Sequence, residues 1–470
     1  MRIDRERMLR HGVPWMCAAA MAVALGCEGN DAHATAPRGS DAFARFEVIG
    51  GASATGAQSA GLVTATQATA WPALLAAAAG VVFTQPVHRS PGCAAPLVAP
   101  LLLGERLNGT SITAVDSACT AAASGFSPPG SNLAIGGATA WDALHLTPKM
   151  IGSAPAGTYG AVQRARYAAV LALTQSQVTA MLVSQPSFVA VELGLGEVVR
   201  AATSGLVVPA ADYGTPANWT LAPAAVATPV IDAIADSVAK SGARAVLVSA
   251  PVITKFPAFQ SAADVWGQRS ALATYGVFVN GNCSTSGNLV NVAALVPALA
   301  VRAVAAGAPQ TLSCADVPGA ADGILTPADV AAIESAIGGI NDHLKAVADA
   351  HHWAWADLGD LYDVMAAAPG IYSAAAQLTC GSPYGAYLSL DGINPTAAGQ
   401  QRIADAVATA INDRYGFALP IVGERLDVQV DPCAPAAAAR DEDARGSSFV
   451  REPGREATGG PRHGARAWLH

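Results

Sequence analysis

Charge is scarce in this chain. Of its 470 residues, 13% are Asp, Glu, Lys or Arg and 6% are aromatic, and the net charge is −8. With no sustained basic patch, nucleic acid is excluded as an expected partner. There is no CxxC pair and no HExxH, so no metal and no cofactor is implied. Gly50 to Gly56 (GGASATG) invites a phosphate-loop reading, because Gly51 and Gly56 fit GxxxxGK[ST]. Ala57-Gln58 stands where Lys and Ser/Thr are needed, however, and little charge would face a triphosphate. The glycine spacing also fails a dinucleotide fingerprint. After the N-terminus, Gly, Pro or polar residues interrupt every apolar run before it could span a bilayer.

What the chain has is apolar residue in quantity, 52% by count, which suits a well-covered α/β protein. Arg2, Arg5, Arg7 and Arg10 precede a short apolar core, Cys17 to Leu25, in the manner of an export signal. ALGC (Ala24 to Cys27) is similar to a bacterial lipoprotein signal, with Cys27 as the candidate lipidation site and Ala24 where a larger aliphatic residue is usual. The expectation is an exported protein: an outer-membrane or cell-surface lipoprotein held to the membrane by its lipid, or a periplasmic or secreted protein. In an oxidising compartment Cys93, Cys119, Cys283, Cys314, Cys380 and Cys433 read as disulfides. Nearest-neighbour pairing gives 93–119, 283–314 and 380–433, one of the several connectivities that six cysteines allow.

Residues 1–27 are thus expected to be signal, 28–44 a tether, 45–433 one domain with an insertion at about 256–323, and 434–470 a disordered tail poor in apolar residues. Within the domain, short apolar runs at Phe46–Ile49, Asn132–Ile135, Phe188–Leu193, Arg244–Val252 and Trp353–Leu358 alternate with helical patterns. Helices are expected at Trp71–Ala79, Pro223–Ser241, Thr326–Ala350 and from Pro395 to near Tyr415. Thr326-Pro327-Ala328-Asp329 supplies a cap, a proline at the first position and an acid in the first turn. This order predicts a three-layer α/β/α sandwich with a flavodoxin-like, about five-stranded parallel sheet plus loop insertions.

Along roughly Arg45 to Val430 the chain resembles the SGNH (GDSL-type) hydrolases, in particular secreted bacterial lipase/esterase-like members. GGASATGAQSAGLVTATQATAWPALLA, beginning at Gly50, is similar to the family's first block, G-[DN]-S-L-T-A-G, with its following glutamine loop and helix start. NLAIGGATAWDAL (Asn132 to Leu144), FVAVELGLGEVVRAATSG (Phe188 to Gly205), LTPADVAAIESAIGGIN and LSLDGINPTAAGQ resemble the later blocks in order. The resemblance implies ester hydrolysis by a Ser-His-Asp triad, with an oxyanion hole from the serine backbone, a glycine and an asparagine.

Transferred position by position, three of those residues are missing. Ala52 stands at the serine, Gly196 at the asparagine of G-x-N-D, and Asn394 at the histidine of D-x-x-H; Gly137 and Asp391 are kept. An amide is no general base, and losing one triad member costs orders of magnitude in rate. The resemblance therefore implies a protein of ester-hydrolase lineage, inactive or very weak: a monomeric pseudoenzyme that binds an acyl, ester or carbohydrate ligand in the former cleft. Two alternatives stand beside it. Ser53 could be the nucleophile of a rearranged esterase site, although no histidine lies near the last block to serve it. The chain could also be a purely structural surface protein. Glu197, Asp391 and Asn394 offer too few oxygens for Ca²⁺, so a solvated acidic cleft floor is expected there.

Overall fold

Period-two alternation in the apolar strands divides their side chains between two cores. The computed structural model describes residues 38–423 except 115–118, 121, 123, 124, 214–218 and 369, together with Cys433; of Ala52 it describes the backbone. The expected signal, Cys27, most of the expected tether and the expected tail lie outside the described residues. The strands are β1 (Phe46–Gly50), β2 (Phe188–Glu192), β3 (Arg244–Val248), β4 (Phe259–Ser261), β5 (Val277–Val279), β6 (Leu289–Asn291), β7 (Gln310–Leu312), β8 (Ile324–Leu325) and β9 (Ala354–Ala356). The main sheet runs β1-β2-β3-β9 with every neighbouring pair parallel.

On one face Phe46, Val48, Phe188, Ala190, Val246 and Val248 enter a core closed by the helices Trp71–Ala79 and Ala397–Tyr415. On the other, Ile49, Val189, Val191, Ala245 and Leu247 meet the helices Ala140–His145, Gln177–Ser184 and Ala224–Ser241. The helix Pro327–Ala350 serves both cores, Ile333 and Ile337 joining the first and Ile340 and Leu344 the second. A parallel sheet with both faces covered explains why β1 and β2 are buried at every residue.

The sheet has four strands where about five were expected. Asn132–Ile135 does run beside β1, with a parallel bridge from Asn132 to Val48 and bonds from Leu133 N to Val48 O (2.8 Å) and Ile135 N to Gly50 O (3.0 Å). Pro128-Pro129 before it and Gly136-Gly137 after it leave too little ladder for a strand. β3 also stops at Val248, short of Val252, because Pro251 carries no N–H for a ladder.

Phe43, placed in the tether by sequence, is fully buried and its ring stacks on Phe188 at 4.3 Å. Residues 259–325 build a third core of Val277, Val279, Val290, Val296 and Leu312 around an antiparallel β4-β6-β8 sheet and a parallel β5-β7 pair. The three disulfides are Cys93–Cys119, Cys283–Cys314 and Cys380–Cys433. Among the described residues no helix is long and apolar enough to cross a membrane.

Candidate functional site

β1 ends at Gly50 and turns through Gly51 into a single 3-10 turn, Ala52–Thr55. Gly50 has φ +122°, and a Cβ there would fall 1.8 Å from the Glu192 carbonyl oxygen, so only glycine fits this close approach of backbones. Three buried polar side chains from distant parts of the chain hold the turn. Gln177 Oε1 accepts from Gly50 N at 2.6 Å. Gln400 donates Nε2 to Ser53 O at 3.0 Å and accepts from Trp71 N at 2.9 Å. Glu192, at the end of β2, accepts from Ser53 N (3.2 Å), Ser53 Oγ (2.6 Å) and Ala54 N (2.8 Å). Burial pushes the Glu192 carboxyl up to about 7, opposed by the Ser53 hydroxyl and the Ala54 and Ser53 amides.

Ser53 therefore faces inward. It is 2% exposed and its hydroxyl is bonded to a carboxyl group, with no histidine on it. A nucleophile needs a proton acceptor and an open path to substrate, and this hydroxyl has neither a histidine nor solvent.

The second and third blocks meet this turn through backbone. A Cβ on Gly51 would lie 3.2 Å from the carbonyl oxygens of Ile135 and Ala138. Gly137 has φ +80° with open space about it, as a position presenting its amide requires. At Gly196 a Cβ would fall 2.0 Å from the Ala138 carbonyl oxygen and 2.6 Å from its carbon. Backbone thus occupies the space that an asparagine at position 196 would need.

Glu197 corrects the expected solvated floor. It is fully buried, and Oε1 accepts from Ala140 N at 2.6 Å and from the Tyr213 hydroxyl at 3.0 Å. Burial holds its carboxyl above the usual range, against the bonds from Ala140 and Tyr213. It staples the third block to the start of the helix Ala140–His145 and does not join Asp391 and Asn394.

Asp391 and Asn394 form a closed unit. Asp391 Oδ1 accepts from Ile393 N (2.9 Å) and Asn394 N (2.7 Å), and Oδ2 accepts from Asn394 Nδ2 (2.8 Å) and from Ala60 N. Asp391 thus bonds the amides of its own turn and of the loop after the β1 turn, while the amide of Asn394 points back onto it. Unlike the aspartate-to-imidazole bond of a triad, this aspartate-to-amide bond carries no transferable proton at neutral pH.

None of the described histidines serves this site. His343 pairs with Asp232 at 2.7 Å, His351 stacks on Trp353 at 4.4 Å, and the rings of His145 and Trp141 lie 5.3 Å apart. His88 is buried with Nδ1 2.9 Å from Thr120 O, and burial lowers its pKa. Cys93 and Cys119 lie beside it, but as a disulfide they supply no thiolate for a metal. A cavity of about 20 Å³ bordered by Thr55, His88, Gly136 and Arg166 is the size of one water.

Sequence reasoning did not single out Gln177, Glu192 or Gln400. Glu192 had a signal, an acid closing an otherwise apolar buried strand (FVAVE); the two glutamines had none, since their meaning depends on tertiary placement. No family model and no curated protein matches the chain. Among solved structures, an extracellular lipase from Streptomyces rimosus is similar to 78% of this chain over 98% of its own, at 14% identity and a TM-score of 0.32.

Proposed function

We propose that this chain is an exported protein of SGNH-type ester-hydrolase lineage whose hydrolytic site no longer operates, and that it acts by binding. The sequence blocks support the lineage. So does the sheet order: counting Asn132–Ile135 as a fifth, edge position gives the flavodoxin-like arrangement 2-1-3-4-5. The three disulfides support an oxidising compartment. Lipid attachment at Cys27 is part of the same reading, resting on the ALGC motif.

One observation carries the loss of catalysis. The position where the base belongs holds an amide locked onto Asp391, while the serine hydroxyl of the β1 turn is locked onto Glu192. Reviving Ser53 would require breaking its bond to Glu192, turning its side chain outward and bringing in a histidine from elsewhere.

Purified mature protein is expected to hydrolyse p-nitrophenyl acetate and butyrate no faster than a heat-killed control. Turnover well above that control, abolished in Ser53→Ala with the fold intact by circular dichroism, would overturn the proposal and establish the rearranged esterase.

A further inference from the structure

Beside the last block, and lined by none of Ala52, Gly137, Gly196 or Asn394, lies a cavity of about 250 Å³. Apart from Asp391 and Ile393 of the last block, its walls come from other parts of the chain. Leu97, Leu101 and Ile112 belong to the loop region that carries the first disulfide, Pro297 to the helix Val292–Ala306, and Asp391 and Arg106 bring charge. Apolar walls with a few polar groups are the usual make-up of a small-ligand site, and this volume lies just below the common range of roughly 300–1,000 Å³.

Arg106 has little to pair with. Its Nη1 donates to Ala95 O at 3.1 Å, its Nε is buried without an acceptor, and among the described residues it forms no ion pair. Buried polar groups are normally satisfied, and a guanidinium is the side chain best suited to a planar carboxylate. Asp391 also lines the cavity but forms no ion pair with Arg106; its oxygens accept from Ala60, Ser389, Ile393 and Asn394. The same loop leaves Leu103 and Leu107 exposed, an apolar surface next to the wall residues.

We infer that this cavity binds a compact apolar molecule carrying a carboxylate, its hydrocarbon part against Leu97, Leu101, Ile112 and Pro297 and its carboxylate on Arg106. A modest shift of the guanidinium would bring its unpaired N–H toward the carboxylate. The site goes beyond the dismantled ester centre and does not depend on whether that centre turns over, so hydrolysis does not enter its test.

The test is calorimetric titration of the intact protein with phenylpropionate, phenylpropanol and phenylpropylamine, three probes with one hydrocarbon body and different heads. Saturable one-site binding is expected, with phenylpropionate at least roughly tenfold tighter than the alcohol or the amine, in line with a charge-assisted bond. Arg106→Met should remove that advantage and leave the alcohol's affinity unchanged. Ala298→Trp, which fills the cavity, should abolish binding of all three with the circular dichroism spectrum intact. The inference is overturned by no saturable binding of any probe, by the amine binding as well as the carboxylate, or by binding that survives Ala298→Trp. Should Arg106→Met fail to fold, the head-group comparison on the unaltered protein decides alone.

Discussion

At Gly196 the absence of a side chain and the position of a backbone are one fact. The Ala138 carbonyl occupies the space a Cβ would fill, and Glu197, one residue on, reaches the Ala140 amide beyond it. Gly196→Asn is therefore not a route back to an oxyanion donor. It forces backbone apart in a close-packed region and should cost about 1–3 kcal/mol of stability, read as a lowered urea midpoint at unchanged slope. A midpoint within error of the unaltered protein would show that the Ala138 segment yields freely. A variant carrying Ala52→Ser and Asn394→His should therefore leave residue 196 as glycine.

Among the elements, the helix Pro327–Ala350 is the one whose start was most clearly written. Thr326 Oγ1 accepts from Asp329 N at 3.2 Å, Asp329 Oδ2 accepts from Thr326 N at 2.9 Å, and Pro327 occupies the first turn. The first half of this helix carries Ile333 and Ile337 into the first core, so fraying at its start loosens that packing layer. Thr326→Ala should cost about 1 kcal/mol and Thr326→Ser nearly nothing, by chemical denaturation. Equal losses in both variants would assign the effect to the lost methyl contacts.

Legibility followed the same logic. Long helices with local caps, at Trp71–Ala79, Ala224–Ser241, Pro327–Ala350 and Ala397–Tyr415, were read nearly to the residue because their signals lie within a few positions. The region from Phe259 to Leu325 was not, since its strands are two or three residues long and their alternation never repeats. At the candidate site, local text draws attention to the β1 turn, Gly137, Gly196 and the Asp391–Asn394 segment. What surrounds them was not legible there: the inward Ser53, the staple of Glu197 and the cavity at Arg106 arise from partners far apart in sequence.

For the whole molecule, buried acids set the response to pH. Burial pushes Glu47 up to about 8, opposed by the Ser184 hydroxyl, and pushes Glu192 up to about 7. In the unfolded chain each returns to its ordinary value of 4.5. Between those values the folded state holds protons that the unfolded state releases. This contribution to stability is fully present below pH 4.5 and is lost as pH rises through about 7 and 8. Each proton contributes a slope of at most about 1.4 kcal/mol per pH unit. Denaturation at pH 5.5 and pH 8 should find the protein weaker at the higher pH, with Glu192→Gln reducing the difference. A rise in stability over that range would mean that both carboxyls ionise normally in the fold.

The clamp on the β1 turn has a consequence for the order of assembly. Gly50 waits on Gln177, 127 residues later, and Ser53 on Glu192 and Gln400, 139 and 347 residues later, with Ala54 bonded to the same Glu192. Loops of that length close late, so a turn encoded near the beginning of the domain can settle only after almost its last helix has docked. Once closed, the amides of Gly50 and Ala54 have no local way to open. Their hydrogen exchange should then track unfolding of the entire domain and report, from one end of the chain, on the arrival of the other.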